Sequence, residues 1–597
     1  MEMTAEFPDL QHIKQKYLEE RDKRIRPEGL AQYRAVDLDH GEYARDPFST
    51  ELLHREPVER DIEVLVIGAG HAGLLTAAEL LDQGITDFMI VEKAADFGGT
   101  WYWNRYPDCR CDIESYIYMP LLEDGGSMPT EKYARSREIR ANATRLGHKL
   151  GLYEKSLLQT GVKKLTWDAA IGRWLVETDR SDVFRARFVC LGSGPMSRPK
   201  LPGVSGIDTF AGKMFHTTRW DYEYTGGDET GGLDKLADKR VAIVGTGATA
   251  CQIIPRLAES AKQLYVVQRT PAAVTDRKNR PTDPAWWDRL GRSWWATRAK
   301  NFSAISVGQI PEVDVVKDTW TDMFMRFNSA QAEHGAEAER LGVPAAELAD
   351  LAIMEEIRRN IDDRVEDKAT AEALKPWYNL FCKRPLFLDG YYETFNRPNV
   401  TLIDTKGHGL EAMDEDSIIV DGKSYPVDCV VFASGFEVAV PLDRAGGLEL
   451  VGRDGISLKD RWSSGMVSLH GMFVHGFPNL CLIGGVRQAA FSWNVTYNLQ
   501  IQAEHIAKII RYCEDSHVKV FEVTESAEQD WKAELNRTAA IDMQFLADCT
   551  PGYLNNEGSD VDTGLASQGY GAGVLAYRNQ VTKWRTQSIE EDFDLIK

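Results

Sequence analysis

Two glycine-rich loops, each placed between a buried strand and a helix, constrain the fold of this 597-residue chain more than any other feature. The first loop, GAGHAG at 68–73, follows the apolar run IEVLVI and precedes a helix-like stretch and a second strand, DFMIVEK. The second loop, GTGATA at 245–250, stands in the same order of elements, RVAIVGTGATACQIIPRLAESAKQLYVVQRT. A strand–helix–strand unit favours a parallel sheet. The sequence therefore predicts an α/β fold with two Rossmann-like dinucleotide-binding domains.

One residue in each unit distinguishes the two predicted sites. Glu92 stands 22 residues after Gly70, at the end of the second strand, where a carboxylate accepts hydrogen bonds from a ribose diol and repels a 2′-phosphate. The matching place, 22 residues after Gly247, holds Arg269, followed by Thr270. A guanidinium can bind a 2′-phosphate through two parallel hydrogen bonds. We therefore expect FAD at the first site and NADPH at the second. The alternative is that Arg269 only ends a strand at the surface.

Composition excludes several classes of partner. The formal net charge of −21 argues against nucleic acid or an anionic membrane surface as a partner. No run of about 18 apolar residues predicts a membrane-spanning helix, and the first 26 residues lack the apolar core of a signal peptide. Nine scattered cysteines without a CxxC pair fit reduced thiols in a cytoplasmic protein better than a disulfide framework, and no metal site is expected. No coiled-coil signal bears on the oligomeric state.

Changes of pattern along the chain divide it into segments. Two βαβ units in a chain of this length indicate several domains, and the Trp- and charge-rich region between them and the last strands indicates a helical insertion. The expected segments are an N-terminal extension (1–60), the first part of the FAD domain (61–205), the NADPH domain (206–271), the helical insertion (272–380), the return of the NADPH domain (381–440), and the second part of the FAD domain with the C-terminal region (441–597).

Two nucleotide sites in one chain imply hydride transfer from a nicotinamide to a flavin. The stretch after Glu92 has no redox-active cysteine pair, which disfavours a disulfide reductase. The stretch FAGKMFHTTRWD at 210–221 instead matches the FxGxxxHxxxW(P/D) fingerprint and resembles the type I Baeyer–Villiger monooxygenases. The stretches GGTWYWNRYP (98–107) and VVQRTP (266–271) are also similar to that family, over about residues 60–580. The charged N-terminal extension is similar to the subgroup of cyclopentadecanone monooxygenase and of enzymes acting on polycyclic or terpenoid ketones.

The resemblance implies a reaction and its residues. It implies insertion of one oxygen atom of O2 next to a ketone carbonyl, giving an ester or lactone, on a bulky cyclic or terpenoid ketone in secondary metabolism. Arg384 in FCKR would be the active-site arginine that stabilises anionic oxygen, and Asp112 would hold it in place. Lys383 would be a second contact to NADPH. The alternatives are an ordinary surface cation at Arg384 and a turn cap at Asp112.

The residues expected to bind a cofactor cluster around the two loops and the flavin-side segment. They are Gly68, Gly70, Gly73, Glu92, Gly99, Thr100, Trp101, Trp103, Arg110, Cys111, Asp112, Tyr118, Thr246, Gly247, Ala248, Thr249, Ala250, Gln252, Arg269, Thr270 and Lys383.

Four positions depart from the commoner family pattern. Asp108–Cys109 stands where many relatives have Gly-Ala, Ser434 stands where Thr is usual, and Tyr553 takes a mobile-loop position that is Trp in several relatives. His216 of the fingerprint is expected to have a structural role, and the Trp-rich stretch 286–295 to pack helices. The functional alternatives are a flavin monooxygenase of nitrogen or sulfur, an NADPH-dependent oxidase or reductase that releases peroxide, and an inactive flavin-binding regulator.

Overall fold

The computed structural model of the chain describes residues 10–36, 43, 45–49, 51–124, 126–192, 194–438, 447–484, 488–540, 542–559 and 569–597. Parts of the predicted N-terminal extension, at 1–9, 37–42, 44 and 50, lie outside the described residues.

The strands of the described residues are short, and the longest belong to one large sheet. In chain order they are β1 Tyr33–Ala35, β2 Glu59–Ile67, β3 Phe88–Val91, β4 Ser156–Leu157, β5 Val162–Asp168, β6 Arg173–Thr178, β7 Val183–Leu191, β8 Lys200–Pro202, β9 Lys213–His216, β10 Arg240–Val244, β11 Gln263–Gln268, β12 Val274–Thr275, β13 Leu386–Phe387, β14 Val400–Asp404, β15 Ala412–Met413, β16 Ser417–Val420, β17 Lys423–Pro426, β18 Cys429–Phe432, β19 Glu449–Val451, β20 Leu480–Leu482, β21 Val520–Val523 and β22 Phe593–Ile596.

The α-helices follow the loops or form the inserted region. They are α1 Leu10–Asp22, α2 His71–Asp82, α3 Thr100–Trp103, α4 Ser115–Tyr118, α5 Ser136–Lys149, α6 Tyr222–Thr225, α7 Ala248–Ser260, α8 Pro284–Trp287, α9 Trp294–Ile305, α10 Thr319–Glu333, α11 Gly335–Leu341, α12 Ala345–Arg364, α13 Lys368–Leu374, α14 Leu458–Arg461, α15 Val495–Asp515, α16 Glu525–Thr538, α17 Met543–Asp548, α18 Val574–Gln587 and α19 Ile589–Asp592.

Two sheets carry the two predicted nucleotide units. The first has the order β19-β5-β6-β7-β2-β3-β4, with β20 beside the end of β7, and β2 pairs in parallel with both β3 and β7. The second has the order β14-β11-β10-β18-β9, and each of its pairs is parallel. In both sheets the strand before the glycine loop is central and buried, as a near-continuous apolar run requires. The carboxyl ends of these strands present the two loops.

Segments distant in sequence complete each sheet. Strands β19 and β20, from the C-terminal third, join the first sheet, and β14 and β18 join the second after the region of α8–α13. Helix α15 packs against α2 on the first sheet. Among the helices of the described ranges, none combines the length and the apolar character needed to cross a bilayer.

The described part of the N-terminal extension contacts both halves of the molecule. In α1, Tyr17 is buried against the inserted helix α12, where Arg358 Nη1 donates to its hydroxyl at 3.1 Å. Further along, Arg55 Nη2 donates to Asp182 Oδ2 at 2.7 Å, beside the first sheet. The extension therefore lies over the two nucleotide units rather than forming a core of its own.

The cysteines correct one expectation. Cys382 and Cys549 form a disulfide across 167 residues of sequence, so the prediction of reduced thiols is wrong for this pair. The other seven cysteines are free and buried. Neither member of the pair has a near neighbour in sequence that is also cysteine, and only the folding of the C-terminal segment onto the turn Leu380–Cys382 brings the two together.

Candidate active site

Both glycine loops open onto one cavity of about 920 Å³ between the two sheets. Gly68 and Gly245 adopt φ values of 100° and 116°, and a Cβ there would lie 2.6 Å from Gly192 O and 2.7 Å from Ala433 O. A Cβ at Gly247 would meet no protein atom within 4 Å, which leaves room for a ligand against the backbone. Helices α2 and α7 begin within the loops, at His71 and Ala248, so their N-terminal N–H groups suit a pyrophosphate. The loops thus fit two dinucleotides.

Glu92 lies where the spacing predicted, at the end of β3 beside the first loop. Its carboxylate accepts hydrogen bonds from Ala69 N at 2.6 Å and Ala94 N at 2.7 Å, and the side chain is buried while it lines the cavity. These backbone donors fix the carboxylate at the rim of the loop. Its remaining lone pairs can accept the hydroxyls of a ribose.

Arg384 and Asp112 form a bidentate ion pair at the cavity wall. Arg384 Nε and Nη2 each donate to one oxygen of Asp112 at 2.7 Å, although the two residues are 272 positions apart. The guanidinium also lies 4.9 Å from the ring centroid of Trp320 and 5.3 Å from that of Trp493. Burial alone would raise the pKa of Asp112, but the charge of Arg384 outweighs it and lowers that pKa. The arrangement holds a permanent positive charge in one orientation.

A second group of cations surrounds Glu557. Lys200 Nζ lies 3.0 Å from Glu557 Oε1, and Arg269 Nη2 lies 3.0 Å from Glu557 Oε2. Lys383 Nζ donates to Pro551 O at 2.8 Å on the same segment. Burial, followed by the charge of Arg269, lowers the pKa of Lys383 to about 7. Burial would raise the pKa of Glu557, but the cations, Lys200 first, lower it.

The N-terminal extension reaches this group as well. Arg269 Nη1 donates to Gln32 Oε1 at 3.0 Å and to Tyr33 OH at 2.9 Å. Arg24 Nε donates to Thr270 Oγ1 at 3.2 Å. The extension therefore forms part of the wall of the second nucleotide site, a role that its sequence did not indicate.

Nearly all the predicted site residues line the cavity. The exceptions are Gly73 and Ala250, the last residues of the two loops, which lie within helices α2 and α7. A Cβ at Gly73 would lie 1.8 Å from Gly68 O, so this glycine allows the tight strand-to-helix turn instead of touching a ligand. Ala250 is fully buried behind the second loop. These two residues do not line the cavity, and their contact with a cofactor stays a prediction.

Arg110 lines the cavity, and its side chain is bonded to protein groups. It pairs with Glu131 and with Asp108 Oδ1 at 3.0 Å, while its backbone N–H donates to Gln252 Oε1 at 2.8 Å. Asp108, the departure from the family pattern, adopts a φ of 61° and also accepts from Arg135 and Arg256. The loop before Asp112 is thus fixed by several ion pairs.

Two further sequence expectations concern aromatic and histidine residues. His216 is fully buried and does not line the cavity itself; its Nδ1 lies 3.0 Å from Thr218 Oγ1, and its ring packs behind the cavity-lining Phe436 at 5.8 Å between centroids. Trp286 packs against Tyr116 at 4.7 Å between ring centroids, and Trp287 packs against Trp294 at 5.4 Å. This is helix packing.

Sequence reasoning missed several residues of the site. Lys200 and Glu557 complete the second cation group, and Trp320 and Trp493 stack with each other at 4.7 Å beside Arg384. Lys200, in the short run RPKLPG, carried no motif, and Glu557 carried no signal because its partners lie hundreds of residues away.

Comparisons with known proteins agree over the whole chain. A model of the NAD(P)-binding Rossmann-like domain matches residues 66–128, and a flavin-binding monooxygenase-like model matches residues 148–303. The chain is 47% identical to pentalenolactone D synthase of Streptomyces arenae over 97% of this chain and 98% of that protein. It is 45% identical to a Baeyer–Villiger monooxygenase of Streptomyces coelicolor over 99% and 97% of the two chains.

Solved structures agree with these relatives. The polycyclic ketone monooxygenase of the fungus Thermothelomyces thermophila superposes with a TM-score of 0.88 at 35% identity, over 98% of this chain and 99% of that chain. The structure of OTEMO in complex with FAD and NADP superposes with a TM-score of 0.74 at 27% identity, over 91% and 100% of the chains.

Proposed function

Because the chain belongs to the Baeyer–Villiger monooxygenases, which use FAD and NADPH to insert an oxygen atom next to a ketone carbonyl, we propose that its substrate is a bulky cyclic or terpenoid ketone. The product would be a lactone. Two observations support the substrate class: the identity to pentalenolactone D synthase along nearly the whole chain, and the likeness to the polycyclic ketone monooxygenase. We also propose a cytoplasmic location, which the acidic composition and the seven free cysteines favour.

The two nucleotides are proposed to divide between the loops. FAD would lie at the first loop with its ribose on Glu92, and NADPH at the second loop with its 2′-phosphate near Arg269, Thr270 and Lys383. The segment boundaries given from the sequence would then separate a flavin domain built from two parts from an NADPH domain interrupted by α8–α13. When bound and reduced, the flavin supplies the activated oxygen for the reaction.

The observation that carries the proposed reaction is the Arg384–Asp112 pair. Attack on a ketone carbonyl places negative charge on oxygen, and a fixed guanidinium stabilises that charge most when it need not reorient. Both oxygens of Asp112 are bonded to Arg384, so the guanidinium keeps one orientation and one free edge. Trp320 and Trp493, which stack on each other, lie on one side of the guanidinium, with ring centroids 4.9 Å and 5.3 Å from it. A nitrogen or sulfur atom would not need such a cation.

The wall near Arg384 suits an apolar ketone. Leu386, Phe387, Phe491 and Trp493 line the cavity on this side, together with Tyr553. Such side chains bind a fused-ring hydrocarbon through buried area and leave orientation to the few polar groups nearby.

The test is a product analysis with purified, FAD-loaded enzyme and NADPH. Fused-ring and terpenoid ketones, cyclohexanone and an alkyl aryl thioether are supplied separately under ¹⁸O2, and products are identified by mass spectrometry. We expect lactones that carry one ¹⁸O, formed most rapidly from the fused-ring ketones. Release of hydrogen peroxide without any oxygenated product, or oxidation of the thioether alone, would contradict the proposal.

A further inference from the structure

The segment that carries Glu557 accepts a hydrogen bond from each of the three cations Lys200, Arg269 and Lys383. Glu557 accepts from Lys200 and Arg269, and the preceding Pro551 carbonyl accepts from Lys383. The carboxylate is 3% exposed. Of the donors on Arg269, Nη1 is bonded to Gln32 and Tyr33, and Nη2 to Glu557. Glu557 therefore competes directly with a phosphate for Nη2 of Arg269, as it does for the ammonium group of Lys200.

The backbone around Glu557 is strained while its carboxylate contacts the cations. Asn556 and Glu557 adopt φ values of 52° and 57°, the left-handed region, in two consecutive residues that are not glycine. Residues with a side chain rarely adopt this region, because the Cβ then lies too close to the backbone. The turn is fixed by a hydrogen bond from Glu557 N to Gly552 O at 2.7 Å. The ion pairs with Lys200 and Arg269 thus offset local strain, and a competing anion would release it.

We propose that the Glu557 carboxylate occupies the subsite for the 2′-phosphate of NADPH, and that coenzyme binding expels it. This rests on the proposed NADPH site at Arg269. A 2′-phosphate carries more negative charge than a carboxylate and has three acceptor oxygens for the same cations. Glu557 is then a specificity-determining residue. Only a ligand that bears the 2′-phosphate makes new ion pairs with the cations, and only these ion pairs offset the loss of those with Glu557.

The consequence reaches the ion pair at Arg384. Tyr553 belongs to the same short helical turn, Tyr553–Gly558, and lines the cavity with Arg384. Expulsion of Glu557 shifts this turn and with it Tyr553. Binding of a 2′-phosphate therefore changes the wall of the ketone pocket.

The test measures binding to the oxidised, FAD-loaded enzyme without any turnover. Adenosine 2′,5′-bisphosphate and adenosine 5′-monophosphate are titrated calorimetrically into wild type and Glu557→Gln. We expect the bisphosphate to bind the variant about 10-fold to 100-fold more tightly, since a charge-assisted contact is no longer displaced, and the monophosphate to bind both proteins equally. The matched control is Glu28→Gln, which removes a carboxylate that lines the same cavity and forms no ion pair within the described residues.

Unchanged or weaker bisphosphate binding in Glu557→Gln would overturn the proposal. So would unaltered bisphosphate binding in Arg269→Ala, which would also move the NADPH site elsewhere; the lactone analysis above tests the reaction independently of both. Wild-type protein gives a second readout if the variant folds poorly. Amide hydrogen exchange in residues 552–559 should rise on addition of the bisphosphate, because the Glu557–Gly552 bond opens, and protection of those amides would contradict the expulsion.

Discussion

Arg384 owes its chemical value to its neighbours more than to its charge. A free arginine in the cavity would rotate, and its side-chain entropy would oppose stabilisation of a developing anion. Asp112 removes that freedom through two charge-assisted hydrogen bonds, and two tryptophan rings limit what remains. We therefore expect Asp112 to act as a positioning residue for Arg384.

Asp112→Asn should separate orientation from charge. An amide can accept one hydrogen bond from the guanidinium but not the bidentate pair, so lactone formation should fall by about 10²-fold, while NADPH is still consumed and the ratio of lactone to NADPH drops. Product and coenzyme are quantified in the same reaction. Asp108→Asn is the control, since Asp108 bonds to Arg110, Arg135 and Arg256 and not to Arg384; an equal loss of coupling there would contradict the assignment.

We expect Lys383 to make coenzyme affinity depend on pH. Its pKa of about 7 results from burial and from the charges of Arg269, Arg24 and Lys200, against which Glu557 acts in the opposite direction. Above that pH the amine becomes neutral and stops attracting the 2′-phosphate, so the KM for NADPH should rise as pH increases through 7 to 9. Lys383→Arg, which stays charged, should flatten the profile. A rise of equal size for NADH would contradict this cause.

At the scale of elements, the two βαβ units share one steric requirement at the turn from strand to helix. Each needs a central strand that ends in a glycine of positive φ, because the backbone of a neighbouring strand end lies where a side chain would stand. The carbonyl is Gly192 O for the first loop and Ala433 O for the second. Because the two glycines face different carbonyl groups, we expect that each loop can be disabled alone.

Gly245→Ala should disable the second loop alone. The new Cβ would lie 2.7 Å from Ala433 O at a φ of 116°, so NADPH affinity should fall by at least about 10-fold while FAD content stays that of wild type. Flavin absorbance per mole of protein and titration with NADP⁺ measure the two effects. Gly390→Ala, at a φ of 76° with no atom within 4 Å of the new Cβ, controls for backbone strain. Loss of flavin from Gly245→Ala would show that the loops are coupled.

The features that the sequence predicted without the family resemblance are those that depend on residues close together in the chain. The loops, Glu92 and Arg269 lie within single βαβ units of about 30 residues, so strand, turn and acceptor follow from spacing and chemistry. Arg384, Asp112 and Lys383 came from the family resemblance. The Lys200–Glu557 and Cys382–Cys549 contacts join residues 357 and 167 positions apart, and no periodicity or spacing encodes such contacts. Tertiary packing alone creates them.

At the scale of the molecule, the C-terminal segment contacts both the Arg384 ion pair and the cations around Glu557. Cys549 is bonded to Cys382, next to Lys383 and Arg384, and the residues that follow carry Tyr553 and Glu557 to the cavity. The disulfide therefore anchors the start of the segment whose later part we propose to be displaced.

Removal of the disulfide should lower stability without abolishing folding. Constraint of so long a loop contributes about 2–5 kcal/mol, and a Cys382→Ser/Cys549→Ser protein should melt several degrees below wild type. Thermal unfolding is followed by flavin fluorescence with and without a thiol reductant. The reductant should lower the wild-type Tm toward that of the variant and leave the variant unchanged. A reductant effect of equal size on both proteins would contradict the assignment.

The Cys382–Cys549 bond gives this enzyme two covalent forms, an oxidised disulfide and a reduced dithiol. Protein stored in air and protein stored with a thiol would share one sequence and one mass to within two hydrogen atoms, yet differ in how firmly the Tyr553 turn is tethered beside Arg384. Rate constants from two laboratories become comparable once the thiol titre of each preparation is stated. The thiol content of the storage buffer therefore sets which covalent form is assayed.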